Sequence, residues 1–379
     1  MEGLDDEFGV DRKATMSVCS STKTEPYDAG ILRSILSGSV RLQERLHIAG
    51  LVDSPICKFC GNHEETLMHC FWQCPCWEHI RNQFEKPARH IWESWPACTL
   101  ECGIFMEKSE AIELTAELES EEAEANDLIN HWSTPQLEAQ GINRDSGESR
   151  NDDGHTVVWT DGASRNNQDA RVRRAGCGIF YAPGHDLNFS CILPGLVQSN
   201  QRAELLAIVL ALNRDPRSLE LRTDSQYVYD GACAWHSWRE RGWRGANADL
   251  WLRLSHAMAA RPAVSTNFTK VKGHALDIDV QRGRVLPIDK WGNDGADACA
   301  CAGADRHAVP DSVLRVFAFR NIAATGTHKM MIEILRRRRA AERVAGQTCD
   351  DVEPEHELAD LSSGLDELAF SESIPGDTG

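Results

Sequence analysis

Thr156-Val-Val-Trp-Thr160-Asp161-Gly162 reads as an apolar strand with a carboxylate at its end. Its β-branched and aromatic residues favour the extended chain, and Asp-Gly marks a turn. Three further segments follow the same plan: Arg202-Ala-Glu204-Leu-Leu-Ala207, Arg222-Thr-Asp224-Ser-Gln226-Tyr227 and Gly292-Asn-Asp-Gly-Ala-Asp297-Ala298. Each acid sits at the edge of an apolar element. Carboxylates gathered at such edges repel one another unless cations hold them together. Oxygen-bound divalent metals are the natural compensation, which points to metal-dependent phosphodiester chemistry.

Around these segments the pattern predicts strands at 156–160, 176–181, 187–196, 219–223 and 266–271. Helices are expected over 203–212, from Gln226, over 249–259 and within 288–304. Three strands in succession, then strands alternating with helices, imply an α/β fold with a five-stranded mixed sheet flanked by helices. The expected organisation is an unordered segment 1–28, a small helical module 30–105, an acidic linker 106–153, the α/β domain 154–310, a basic helical extension 311–348 and an acidic unordered tail 349–379.

The formal charge of −18 is unpromising for a polyanionic substrate until it is divided along the chain. Residues 154–310 hold 19 Lys and Arg against 16 Asp and Glu, and the acidic excess falls in the linker and tail. The start Met1-Glu-Gly-Leu-Asp-Asp-Glu is too acidic for a secretory signal, and no apolar run reaches membrane-spanning length. Fourteen Cys without a signal peptide suggest a reduced, intracellular protein and no membrane partner.

Thr160-Asp161-Gly162, Asn200-Gln-Arg-Ala-Glu204, Thr223-Asp224-Ser-Gln226-Tyr-Val228, Val271-Lys-Gly-His274-Ala and Asn293-Asp-Gly-Ala-Asp297 together resemble ribonuclease H of the bacterial-like type, also found attached to reverse transcriptases. The resemblance covers roughly residues 155–305. It implies that Asp161, Glu204, Asp224 and Asp297 hold two Mg²⁺ (Mn²⁺ as an alternative) and that His274 moves a proton or aids product release. It further implies that the substrate is an RNA–DNA hybrid. Asn167, Asn200, Gln201 and Gln226 would contact its sugars and minor groove, and Arg239, Arg241, Trp243 and Arg244 would track the DNA strand. Singly these residues mean little: Asp161 could be a turn residue, Glu204 a helix-dipole charge, His274 an exposed histidine, and Asp294 competes with Asp297. Trp235, Trp238 and Trp251 read as packing residues. The chain departs from the family pattern in a longer basic turn at 168–174, a shortened loop after the basic helix and an insertion at 277–290.

Cys57, Cys60, His69 and Cys74 give Cys-x2-Cys-x8-His-x4-Cys, a spacing able to close a structural Zn²⁺ site, with Cys70, Cys76 and His63 as nearby alternatives. The segment resembles the zinc-binding stretch of non-LTR retrotransposon reverse transcriptases. Such a metal would stabilise a module too small for its own core. No Tyr-x-Asp-Asp polymerase motif is present. Arg336 to Arg339 reads as a nuclear-import signal, a phosphate clamp or a solvated helix end.

The expectation is therefore a retrotransposon-derived endonuclease that cuts the RNA strand of hybrids by two-metal catalysis. The competing reading is a non-catalytic nucleic-acid-binding remnant of a mobile element. A transposase or integrase fits less well, because Thr-Asp-Ser-Gln and Lys-Gly-His are foreign to those patterns. Protein partners are not indicated by any motif.

Overall fold

The computed structural model describes residues 9–84, 95–107, 109–131, 147–242, 244–262 and 265–346. In chain order, helices α1 (Arg12–Met16), α2 (Pro26–Leu36), α3 (Gln43–Ile48), α4 (Glu78–Arg81), α5 (Ala97–Cys102) and α6 (Ser109–His131) precede strands β1 (Thr156–Arg165), β2 (Arg174–Phe180) and β3 (Phe189–Ile192). Then come α7 (Asn200–Arg214), β4 (Leu219–Thr223), α8 (Gln226–Cys233), α9 (Trp235–Arg241), α10 (Ala248–Ala259), β5 (Thr266–Lys270), α11 (Asp277–Gln281), α12 (Pro287–Asp305) and α13 (Asp311–Gly346). The described residues form two compact units, 9–17 with 104–325 and 18–103 with 326–346.

The first unit is built on a mixed sheet of order β3-β2-β1-β4-β5. The β3-β2-β1 side is antiparallel, and β1, β4 and β5 run parallel. Side chains alternate along β1, so its two faces feed separate packing layers. Val158 joins the core that includes Ile179, Leu221 and the buried run Ala203 to Leu212 of α7. Val157 and Trp159 pack with Phe180 and Ala296 of α12 on the other layer.

α12 lies unusually close to the sheet because both surfaces are stripped of side chains. A Cβ on Gly176 would stand 2.1 Å from Ala304 N, and one on Gly178 2.2 Å from Ala296 O. The facing residues Ala296, Ala300 and Ala304 are themselves small and fully buried. This close approach fixes the height of Asp297, which α12 carries.

Several boundaries differ from the sequence pattern. β1 continues past Asp161 to Arg165, because β2 pairs with it along the whole stretch, Asp161 opposite Gly178 and Arg165 opposite Arg174. β3 is shorter than the expected 187–196, ending before Pro194-Gly195. Residues 9–28, expected to be unordered, contain α1 and the start of α2. Asp11 organises this segment: its carboxylate caps α1 by accepting from Ala14 N at 2.9 Å and binds Arg171 at 2.8 Å and Arg320 at 3.3 Å. Arg171 also reaches Glu107 and Asp169, and Arg174 is buried. Two of the three arginines of the basic turn at 168–174 therefore serve the fold. Residues 1–8, the linker stretch 132–146, Trp243 and the tail 349–379 lie outside the described residues.

In the second unit Ile56 bridges Glu64, closing a hairpin around Cys57 to Cys60. Glu65, 1% exposed, accepts two hydrogen bonds from the buried Arg338, at 3.0 and 2.9 Å, and one from Gln43 N at 2.8 Å. Arg338 is thus no solvated member of the 336–339 run. Removing either charge would strand the other in the interior.

Gly178→Ala should destabilise the protein by about 1–3 kcal/mol through overpacking under α12. Chemical denaturation measures it, and an unchanged midpoint would contradict the close packing described above.

Candidate active site and Cys/His cluster

β1 and β4 are parallel neighbours with Thr160 opposite Thr223, the last residue of β4. Asp161 and Asp224 are the next residues on the two strands, so their side chains emerge where the ladder between them stops. Ser225 turns the chain at once by capping α8, its hydroxyl accepting from Val228 N at 3.4 Å. Glu204 arrives from α7, whose first turns cross over Gly162. A Cβ on Gly162 would lie 2.5 Å from Glu204 N, so a bare backbone is required there.

One carboxylate oxygen from each of Asp161, Glu204 and Asp224 lies within 4.8 Å of the other two. Asp161 and Glu204 are only 5% and 6% exposed. Asp161 accepts from Gly162 N at 2.7 Å, and Glu204 Oε1 accepts from Asn200 Nδ2 at 2.7 Å. Glu204 Oε2 is buried and has no hydrogen-bond partner. Burial pushes Asp161 up to about 9, with the charges of Asp224, Glu204 and Asp297 adding to the rise. Burial likewise raises Glu204 to about 8, with Asp224 reinforcing it, while Ser225 and Lys270 pull the other way. A site that penalises its own carboxylates and leaves a buried oxygen unsatisfied fits the ligand set of a hard cation.

Asp297 is half-buried and stands outside that tight trio, close enough to act on Asp161. Asp294 is exposed and held by Lys290 at 2.6 Å. Of the two, Asp297 is the one that feels the site. His274 is exposed in the turn after β5 with φ of 46°. The turn is pressed against the site: a Cβ on Gly273 would stand 2.3 Å from Asp224 Oδ2.

The remaining residues named from the sequence are spread around this centre. Asn200 and Gln201 open α7, and Gln226 opens α8 with its amide donating to Asp230 at 2.7 Å. Asn200 is thereby a buttress of Glu204. Asn167 is exposed and accepts from the Ser164 hydroxyl at 2.6 Å. Arg239 and Arg241 are exposed on α9, Arg244 is exposed beyond it, and Trp243 lies outside the described residues. Trp235 and Trp251 are buried as expected, whereas Trp238 is 40% exposed with the Arg241 guanidinium 5.2 Å from its ring centroid. The sequence reading missed Gly162, Gly273, Ser225 and Lys270. The paired signal for the two glycines was adjacency, since each directly neighbours a named residue.

In the second unit Cys57, Cys60, His69 and Cys74 each bring a donor atom into a group spanning no more than 4.8 Å. Cys57 Sγ and Cys74 Sγ are 4.0 Å apart, and Cys60 Sγ and His69 Nε2 are 3.4 Å apart. A tetrahedral Zn²⁺ site has edges of about 3.8 Å between sulfurs and about 3.5 Å between sulfur and nitrogen. The donors therefore fit that ion. Of the alternatives, Cys70 is a buried thiol pushed up to about 12 by burial, Cys76 donates to Phe59 O at 3.3 Å, and the His63 ring lies tilted 5.6 Å from that of His69.

A family model for RNase H matches residues 153–305. Ribonuclease H of a Caulobacter species is 37% identical over 135 residues, covering 33% of this chain and 82% of that protein. Ribonuclease H of Polaromonas naphthalenivorans is 34% identical over 162 residues, covering 40% and 88%. Ribonuclease H of Schizosaccharomyces pombe is 35% identical over 156 residues, covering 39% of this chain and 52% of that protein, so only about half its length is spanned. A solution structure of the PFV RNase H domain is 23% identical with a TM-score of 0.32, covering 40% of this chain and 94% of that one. That likeness adds nothing to the sequence matches. Through residues 153–305, this chain belongs to the ribonuclease H family.

Proposed function

We propose that the chain is an endonuclease that hydrolyses the RNA strand of RNA–DNA hybrids, and that a structural Zn²⁺ closes its Cys/His cluster. The observation that carries the first part is the meeting of Asp161, Glu204 and Asp224, with Glu204 Oε2 buried and without a hydrogen-bond partner. A binding remnant gains nothing from three acids held at that cost. Bound there, a pair of Mg²⁺ ions would activate the attacking water and stabilise the leaving 3′ oxygen, giving a 5′-phosphate and a 3′-hydroxyl.

The chain's own groups do the rest. Asp161, Glu204 and Asp224 hold the ions, with Asp297 completing the set from α12. Asn200 pins Glu204 Oε1 and so leaves Oε2 to coordinate. His274, in the turn beside Asp224, takes or returns the proton as product leaves. Asn167, Gln201 and Gln226, all exposed, are the groups assigned to the hybrid's sugars, where a 2′-hydroxyl distinguishes RNA from DNA. Arg239, Arg241 and Arg244 hold the partner strand by charge. A Cys/His cluster of this spacing in the same chain supports descent from a retrotransposon reverse transcriptase.

With Mg²⁺, purified protein should degrade labelled RNA in a hybrid and spare the same RNA alone. Asp224→Asn should cut the rate by on the order of a hundredfold or more. Above about pH 9, where Asp161 and Glu204 ionise, the same change relieves charge crowding, so the metal-free variant should melt a few degrees above wild type, about 1 kcal/mol. Wild-type turnover by the Asn variant would sink the assignment. A melting point below wild type would instead show that Asp224 supports the fold.

Metal analysis should find about one zinc per chain, and Cys74→Ser should lose it. Zinc retained at full stoichiometry in that variant would exclude the proposed ligand set.

A further inference from the structure

The second unit contains a cleft of about 780 Å³ that neither the catalytic site nor the Cys/His cluster uses. Its polar rim carries Arg41, Lys58 and Arg339. Arg41 and Lys58 are exposed and have no ion-pair partner among the described residues. Arg339 has no ion-pair partner among the described residues and donates to the Tyr27 hydroxyl at 3.3 Å. Arg338 also lines the cleft but is committed to Glu65 and to Glu342, the one acid of the lining. The cations left over outnumber the free acids by three to none.

The wall holds a second signal. Gln43 is 3% exposed, lines the cleft, and its Nε2 donor is buried without a partner. A buried amide N–H₂ left unsatisfied costs free energy, which an acceptor on a ligand would recover. Beside it, Val40, Leu46 and Leu335 give an apolar surface. Cations, a stranded donor and an apolar wall in a volume suited to a small ligand match a phosphate carrying a flat ring.

We propose that this cleft binds a nucleotide unit through its phosphate and base, supplied either by a single nucleic-acid strand or by a free nucleotide. The phosphate lies among Arg41, Lys58 and Arg339, the base packs on Leu46 and Leu335, and Gln43 Nε2 donates to a ligand oxygen or ring nitrogen. The site is independent of the hydrolytic centre.

The test is fluorescence anisotropy with the full chain, a labelled hexanucleotide of single-stranded RNA or DNA, and magnesium-free buffer. Arg41→Ala with Lys58→Ala should weaken binding about tenfold at low salt and reduce the salt slope by about 1.4. Gln43→Leu should weaken it severalfold with the slope unchanged. Both variants should keep wild-type zinc content, which verifies the fold of the module. Asp224→Asn should bind like wild type, which separates this cleft from the catalytic reading. Displacement by 5′-AMP would identify a free nucleotide as sufficient, and failure of 5′-AMP to displace would identify the strand as the ligand. Wild-type affinity and slope in the double variant would overturn the proposal. So would displacement by inorganic phosphate, or by an acidic peptide of residues 350–368, as effective as displacement by the strand.

Discussion

The cost of gathering Asp161, Glu204 and Asp224 at one largely buried point is the constraint on which the rest of the first unit depends. Burial, reinforced by the charge of Asp224, pushes Asp161 and Glu204 well above the usual carboxylate range, so the surrounding structure must hold them there by force of packing. The holding is visible residue by residue. Parallel pairing of β1 and β4 brings the two aspartates level, and Gly162 lets α7 pass close enough to deliver Glu204. Gly176 and Gly178 let α12 sit low on the sheet, and the turn at Gly273 closes against Asp224. The glycines around the site are there for close approach rather than for flexibility.

Much of this was legible in the chain. β4 and the start of α8 fall where the pattern puts them, because a short run with alternate leucines, Leu219 and Leu221, ending in Thr-Asp-Ser carries both the strand and its helix cap. Asp161, Glu204 and Asp224 lie together within 4.8 Å, as do Cys57, Cys60, His69 and Cys74. What the pattern hid was tertiary. Asp161 looked like the end of a strand, and only its partner β2 shows that β1 runs on to Arg165. Residues 9–28 lack periodicity, yet Asp11 draws in Arg171 and Arg320 from far along the chain. The basic turn at 168–174 reads in sequence as a departure from the family pattern, and the arginine run at 336–339 as an import signal, a phosphate clamp or a solvated helix end. In each, a buried arginine is consumed by an internal acid or carbonyl instead.

The second unit follows a different economy. It buries Phe71, Trp72 and Ile80 near the Cys/His cluster, and adds to them polar bonds that are satisfied inside. Glu65 is the junction: it accepts from Arg338 and from Gln43 N, tying the hairpin to α3 and α13 at one point. The backbone N–H of Gln43 is thus spent on structure, while its buried side-chain donor, in a residue of the cleft wall, is left without a partner.

The most direct measurement is anomalous scattering from crystals of the full chain soaked in Mn²⁺. The account requires density within about 2.2 Å of carboxylate oxygens from Asp161, Glu204 and Asp224 together. An empty pocket at those three residues, with Mn²⁺ bound elsewhere or not at all, would contradict it.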